Sequence, residues 1–422
     1  MSQLQEASPR AGASGVSAGP APSGDFYTHQ IANSCRFNQS DTAHMYHTQG
    51  TPTNVDKCTI SAWVKRGKMG NADSMFTGSG IYGGNYSWLG FNTANEFYNF
   101  QAGDQPRLES NALFRDPSSW YHIVIANDST QGTAANRNKI YINGVQYTDW
   151  GDYSTYSTQN ADFYMNTSGY KLFVGSGGAS EGNSWLPFDG YIAEYVFIDG
   201  TQYAATDFGE SKNGVWIPKD PSGLTFGNNG CYLKFESSSD LGNDSSGNNN
   251  DFTVSNVSAH DQMTDTPTFN STSNGGNFMT YNGVLIGSNN NLAEGNLKST
   301  GSAAGNNSGN FGMVTGKWYW ECKASTVSAY APTFGIGQTG HAGTDGLYYI
   351  ITWQTSAGQI YTGGGSPVGM GTISSNSTGV TTLSSGDILS FWLDCDNGKL
   401  WIGKNGTIPN SGDPANGTNP QA

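Results

Sequence analysis

The chain has 422 residues, too many for one ordinary core and enough for two domains, and 58 of them are glycine. With 12% charged and 13% aromatic residues and no sustained 3.6-residue apolar period, the composition points to short strands and turns rather than helices. A formal charge of −14 without a basic stripe argues against nucleic acid or an anionic membrane as partner; with no run of 18 apolar residues and no signal-peptide h-region, neither membrane insertion nor secretion is expected.

Residues 1–24, "MSQLQEASPRAGASGVSAGPAPSG", are Ala, Gly, Ser and Pro with little to bury. A segment of that kind gains order only from a partner, so it is expected to be an extended anchoring arm. From Asp25 onward short strand-sized segments follow one another: "CTISAWVKR", "YSWLGFN", "WYHIVIAND", "NKIYINGVQYT", "YKLFVGS" and "GYIAEYVFIDG", each bounded by Gly, Asn, Asp or Ser. Asn143-Gly144 supplies the two φ > 0 residues of a type I′ hairpin, which sets Ile142 against Val145 and Ile140 against Tyr147. A strand near Cys231 to Phe235 and the tract "DLGNDSSGNNNDFTVSN" close this region at residue 258. Residues 259–277, polar and containing Pro267, read as a linker. A second series over 278–422 holds "GKWYWECKAS", "TFGIGQT", "LYYIITWQ", "DILSFWLDCD" and "KLWIGKNG". Here Asn397-Gly398 is expected to turn the last hairpin, with Cys395 opposite Leu400 and Leu393 opposite Ile402. The fold class is therefore all-β: two antiparallel β-sandwich (jelly-roll) domains in tandem after an extended N-terminal arm.

The segments "TISAWVKR", "SSWYHIVIAND", "NKIYINGVQ" and "DGYIAEYVFIDG", in that order, make residues 25–258 resemble the laminin G-like, concanavalin-like jelly rolls. Similarly "GKWYWECKAS", "FGIGQTG" and "GDILSFWLDCDNGKLWIGKNGT" make residues 278–422 resemble a SPRY domain. Domains of that second kind continue through further strands, whereas this chain ends at "GDPANGTNPQA", so the second sandwich is expected to be incomplete. The tandem, with its Gly/Ala-rich start, resembles virion proteins of tailed bacteriophages, particularly fibres and surface appendages. That resemblance implies a non-enzymatic virion-surface protein, made in the host cytoplasm, whose arm docks to other virion proteins and whose copies associate, most simply as a trimer. It also allows one structural calcium ion of unassigned ligands, and implies no other cofactor.

Motifs for other chemistry are weak. The Gly-x-Gly-x-x-Gly matches at Gly78, Gly80, Gly83 and at Gly335, Gly337, Gly340 open no helix, so no helix N-terminus is there to hold a pyrophosphate. Ser180 in "GASEG" fits a nucleophile elbow but is followed by loop and strand. A glycosidase needs two facing carboxylates, yet Glu194 and Asp199 are five apart and fall on opposite faces of a regular strand; Glu96, Glu181 and Asp189 stand unpaired. His44 and His47, near Cys35 and Cys58, fit no zinc-ligand spacing, and the five cysteines, including Cys231, Cys322 and Cys395, read as small buried hydrophobes.

The remaining signal is aromatic. Tyr82, Tyr86, Trp150, Tyr153, Tyr156 and Trp185 lie in or beside Gly/Asn/Ser loops. A flat ring covers the apolar face of a sugar while Asn, Asp and Ser bond its hydroxyls, so these six are the expected contacts for a host-surface glycan or receptor. The alternatives are a decoration protein of capsid or tail whose aromatics pack neighbouring copies, and a polysaccharide depolymerase.

Overall fold

The computed structural model describes residues 26–70, 73–80, 85–103, 106–178, 186–270, 275–287, 290–301, 307–327, 333–337, 351–354, 359–362 and 382–421. The fold is all-β, with multiple antiparallel sheets and, among the described residues, only single-turn 3₁₀ segments between strands. Two compact units are present. The first takes the described residues up to Val284 together with Leu292–Lys298, and the second takes Leu285–Asn291 and the described residues from Ser299 onward. The N-terminal arm expected over residues 1–24, and with it Tyr82, Ser180, Glu181 and Trp185, lies outside the described residues.

In the first unit the strands are β1 (Ser34–Phe37), β2 (His44–Thr48), β3 (Lys57–Arg66), β4 (Ser74–Gly80), β5 (Tyr86–Phe91), β6 (Glu96–Gln101), β7 (Arg107–Leu113), β8 (Trp120–Asp128) and β9 (Asn138–Ile142). They continue as β10 (Val145–Tyr147), β11 (Trp150–Thr155), β12 (Lys171–Val174), β13 (Gly190–Asp199), β14 (Gly209–Lys212), β15 (Val215–Pro218), β16 (Cys231–Leu233), β17 (Thr253–Ser255) and β18 (Gln262–Met263). One sheet runs β10-β9-β8-β3-β13-β1-β18, with β16 also on β13; the other runs β11-β7-β6-β5-β4-β12-β2-β17. Both turn an apolar face to a shared core that includes Phe37, Ile60, Val64, Phe76, Leu89, Phe97, Ile123, Ile125, Leu172 and Phe197.

The outer face of the first sheet is covered by the chain itself. Val124, Val196 and Ile198 pack under Ala205, Phe208 and Phe226, while Trp63, Trp120 and Tyr191 pack with Ile31 and Met263, and Trp216 of β15 borders both groups. Strands roofed in this way are covered on both faces, and β3, β8 and β13 are buried along almost their whole length.

The described residues of 259–277, a segment expected as a linker, are built into this roof. The β18 strand pairs with β1, and the Lys65 ammonium, wholly buried, donates to Asp265 Oδ2 at 2.7 Å, Asn277 Oδ1 at 2.8 Å and the Phe278 carbonyl at 2.6 Å. Asp265 Oδ1 accepts from Trp120 Nε1 at 3.1 Å, so the buried pair is bonded on both sides. The polarity that suggested a linker is the polarity of this anchor.

The Asn143-Gly144 hairpin has the expected register, with φ of +48° and +80° at its two turn residues. The second hairpin is shifted: Leu393 pairs with Leu400 and Phe391 with Ile402, because the turn spans four residues and Asp394 Oδ1 accepts from Asn397 N at 3.1 Å. The tight Asn-Gly turn in this unit is Asn405-Gly406, at φ +49° and +80°, where Lys404 and Thr407 exchange main-chain bonds. Strand Lys317–Lys323 joins Ile388–Asp394 and Lys399–Lys404 in one three-stranded sheet, whose inner residues Leu389, Phe391 and Ile402 pack against Phe334 and Ile336. After Lys404 the chain folds back, and Gln421 bonds Leu400 O and Ile402 N along the edge strand.

Candidate functional site

The second sheet of the first unit keeps strict alternation in its centre. Ser87, Leu89 and Phe91 of β5 turn inward, as do Phe97, Asn99 and Gln101 of β6 and Leu108 and Ser110 of β7. Tyr86, Trp88, Tyr98, Phe100, Arg107 and Glu109 therefore face outward, half-buried. Register places Phe100 between Trp88 and Arg107, and Tyr98 opposite Glu109.

The rings form a ladder. Tyr86 and Trp88 are 4.7 Å apart between centroids, Trp88 and Phe100 5.1 Å, and Phe100 and Tyr98 5.9 Å, with planes within 28° of parallel. Parallel rings in contact lie about 3.5–4 Å apart. Centroid separations larger than that mean the rings are slipped, so each leaves part of its face uncovered by its neighbour in the ladder. At the end of the ladder the Arg107 guanidinium sits 3.2 Å from the Tyr153 ring centroid and 6.0 Å from that of Tyr98. Beside it the Asn92 amide donates to Glu96 Oε2 at 2.7 Å and to Glu109. Burial, joined by the neighbouring Glu96 charge, holds the Glu109 carboxyl above its ordinary range.

The other flank is closed. Gly78 lies opposite Trp88, and a Cβ there would come within 2.5 Å of the Gly177 carbonyl oxygen, so the segment after β12 rests directly on β4 and hides Phe173. The outward surface is thus bounded to β5, β6, β7 and β11.

Of the residues expected from sequence, Tyr86 is a rung of the ladder and Tyr153 covers Arg107. Trp150 and Tyr153, read as loop residues, lie on β11, which pairs with β7 across a bulge. Trp150 and Tyr156 are turned to the sandwich: Trp150 Nε1 donates to Tyr156 Oη at 2.9 Å, and both pack against the core. Sequence reasoning missed Trp88, Tyr98, Phe100 and Arg107. Their signal was the alternation in "YSWLGF" and "EFYNFQ", where rings two apart must share a face.

The carboxylates singled out above are engaged elsewhere. Asp199 accepts from Thr53 N at 2.6 Å, Asn166 Nδ2 at 2.7 Å and Asn229 N at 3.1 Å. Asp189 accepts from Lys68 N at 2.9 Å. Glu194 sits at φ +46°, at a bulge in β13, and takes His29 Nε2 and Tyr232 Oη at 2.5 Å each. His44 and His47 each donate Nδ1–H to a main-chain carbonyl, of Thr42 at 2.7 Å and of Asp251 at 3.0 Å.

One serine and one histidine do meet. Ser61 Oγ is 2.9 Å from His122 Nε2, and Trp216 Nε1 is 2.9 Å from His122 Nδ1. An indole N–H only donates, so Nδ1 is the acceptor and the neutral ring carries its proton on Nε2, which donates to Ser61. A histidine in that tautomer cannot take the serine proton, and burial pushes its pKa down to about 3. The pair is packing.

Residues 39–206 match the family model of the concanavalin A-like lectin/glucanases superfamily. No curated protein matches the chain. Among solved structures it is similar to the heptameric SAP-like pentraxin of Limulus polyphemus, at 12% identity and TM-score 0.32 over 42% of this chain and 80% of that one. It is similar also to a candidate carbohydrate-binding protein of Bacteroides ovatus, at 18% identity and TM-score 0.35 over 55% of this chain and 60% of that one. A third is the CBM40 of a Ruminococcus gnavus IT-sialidase bound to α2,3-sialyllactose, at 16% identity and TM-score 0.26 over 39% of this chain and 85% of that one.

Proposed function

We propose that the first unit binds glycan without catalysis, through the outward face built by Tyr86, Trp88, Tyr98, Phe100, Arg107 and Tyr153. The observation that carries this reading is the slipped aromatic ladder ending in a charged and amide cluster. Half-buried rings stacked in a row suit the C–H face of a pyranose, and Arg107, Glu109 and Asn92 suit its hydroxyls. The lectin/glucanase family match over residues 39–206 supports the same reading.

The setting we propose is the surface of a phage virion, reached after synthesis in the host cytoplasm, with the arm held by other virion proteins. Its support is the tandem resemblance of the two halves and the low-complexity start. A trimer or larger array of copies would turn weak single contacts into firm attachment.

The test is retention of the full chain on immobilised cellohexaose, maltohexaose, xylohexaose and bacterial lipopolysaccharide. Trp88→Ala is expected to weaken the first unit's binding about 10- to 30-fold, the loss of one hot-spot ring. Unchanged binding by a folded Trp88→Ala protein, or no binding by the wild type, overturns the reading. Competition with phage for adsorption then separates attachment, which the chain should block, from a decoration role, which leaves adsorption unchanged.

A further inference from the structure

We propose a second saccharide site, in the second unit, centred on Trp392 on the outer face of the sheet formed by Lys317–Lys323, Ile388–Asp394 and Lys399–Lys404. Alternation sends Phe391 and Leu389 to the core of that unit and Trp392 and Ser390 to the other side. Register lines up Tyr319, Trp392 and Trp401 in one row across the three strands, and Glu321, Ser390 and Gly403 in the next.

The three rings of the row have different fates. Trp401 is hidden, 1% exposed, with its Nε1 donating to the Thr418 carbonyl at 2.8 Å and the returning chain at Gly412 against its ring. Trp392 stays half-exposed. Its ring leans over Gly403, where a Cβ would lie 3.0 and 3.2 Å from two indole carbons, so the bare glycine lets the indole settle against the strand. Tyr319 flanks it at 5.2 Å between centroids, inclined by 43°. A tilted neighbour touches the indole at one side and leaves the face turned from Gly403 available.

Polar groups line the same edge. Exposed Glu321 accepts from Tyr319 Oη and from Ser390 Oγ at 3.1 Å, which fixes its carboxylate beside the ring pair. Among the described residues nothing accepts from the Trp392 indole N–H. Lys317, in the row on the other side of the ring pair from Glu321, is drawn to Asp394 at 3.6 Å, so the cation beside the rings already has a carboxylate partner. Rings flanked by Glu321 on one side and a paired Lys317–Asp394 on the other suit a neutral, hydroxyl-rich ligand with an apolar face, a hexose or pentose unit of a polysaccharide. The site stands independently of the one in the first unit, and its ligand has the same chemistry; two sites on one chain would act together on a polymer.

The experiment uses the full chain on the same immobilised saccharides, in wild type, Trp88→Ala, Trp392→Ala and the double variant, with thermal unfolding as the folding control. Each single variant is expected to retain part of the binding, and the double variant none. Trp392→Phe keeps a ring over Gly403 but lacks the N–H, and should fall between wild type and Trp392→Ala. Binding abolished by Trp88→Ala alone, or untouched by a folded Trp392→Ala protein in the Trp88→Ala background, overturns the second site and leaves the first standing. Binding lost with Trp392→Ala and kept with Trp88→Ala supports it and removes the first.

Discussion

The two sheets of the first unit enclose the same core, yet their outer faces have opposite fates. The sheet holding β3, β8 and β13 is roofed by Phe208, Phe226, Trp216 and Ile31 and pinned by the Lys65–Asp265 pair. The sheet holding β5, β6 and β7 has its outward aromatics half-exposed and stacked on one another. Among the described residues, rings of equal size are therefore buried on one side and half-buried on the other, and the roof over β3, β8 and β13 makes the difference. Under the proposed function, this half-exposed row of rings is the surface that a saccharide covers.

The roof can be broken at its anchor. Lys65→Met leaves the Asp265 carboxylate buried without its cation and should cost about 3–5 kcal/mol in chemical denaturation. Replacing both partners by apolar residues should recover most of that loss, whereas a cost under about 1 kcal/mol for the single variant would mean that the roof is not held there.

Acid attacks the same side through His122. Its folded pKa of about 3 lies below the unfolded value of about 6.5, so the unfolded chain takes up the proton first. Its contribution is complete above pH 6.5 and falls by about 1.4 kcal/mol per pH unit as the pH drops toward 3. Denaturation at pH 7, 5.5 and 4.5 should show this slope in the wild type and lose it in His122→Gln; equal slopes would contradict the buried neutral ring.

Glycines in two like turns sharpen the contrast. Gly144 and Gly214 both follow an asparagine, at φ +80° and +82°, but a Cβ on Gly144 would lie 2.4 Å from the Trp216 ring while Gly214 faces open space. Gly214→Ala should cost about 1 kcal/mol, the backbone share alone. Gly144→Ala should cost about 2–4 kcal/mol, because it also displaces the roof tryptophan. On the open sheet, Tyr153→Ala should cost under about 1 kcal/mol of stability while weakening saccharide retention a few-fold.

Much of this was legible beforehand. "CTISAWVKR", "WYHIVIAND" and "GYIAEYVFIDG" stand out as strands because burial on both faces fills them with apolar and β-branched residues. The same rule hid "EFYNFQ", which alternates and begins with glutamate, and with it half of the ladder. Tyr86 and Tyr153 were found by their company of Gly and Asn, but the same company marks Trp150 and Tyr156, which the fold turns inward. Local composition tells where a ring is free to sit at a surface; only register tells which rings meet. The polar tract 259–277 misled for a related reason, since a buried ion pair and a solvated linker use the same residue types. Likewise Asn397-Gly398 carries the sequence of a two-residue turn, but Asp394 captures the Asn397 amide and lengthens it.

The most direct test is hydrogen exchange of the full chain with and without whichever of the four immobilised-panel saccharides is retained most strongly. The account predicts slowed exchange in Tyr86–Phe91, Glu96–Gln101 and Arg107–Leu113, with Lys57–Arg66 and Trp120–Asp128 unchanged. Protection confined to the roofed sheet, or none on β5 to β7 at saturation, would contradict it.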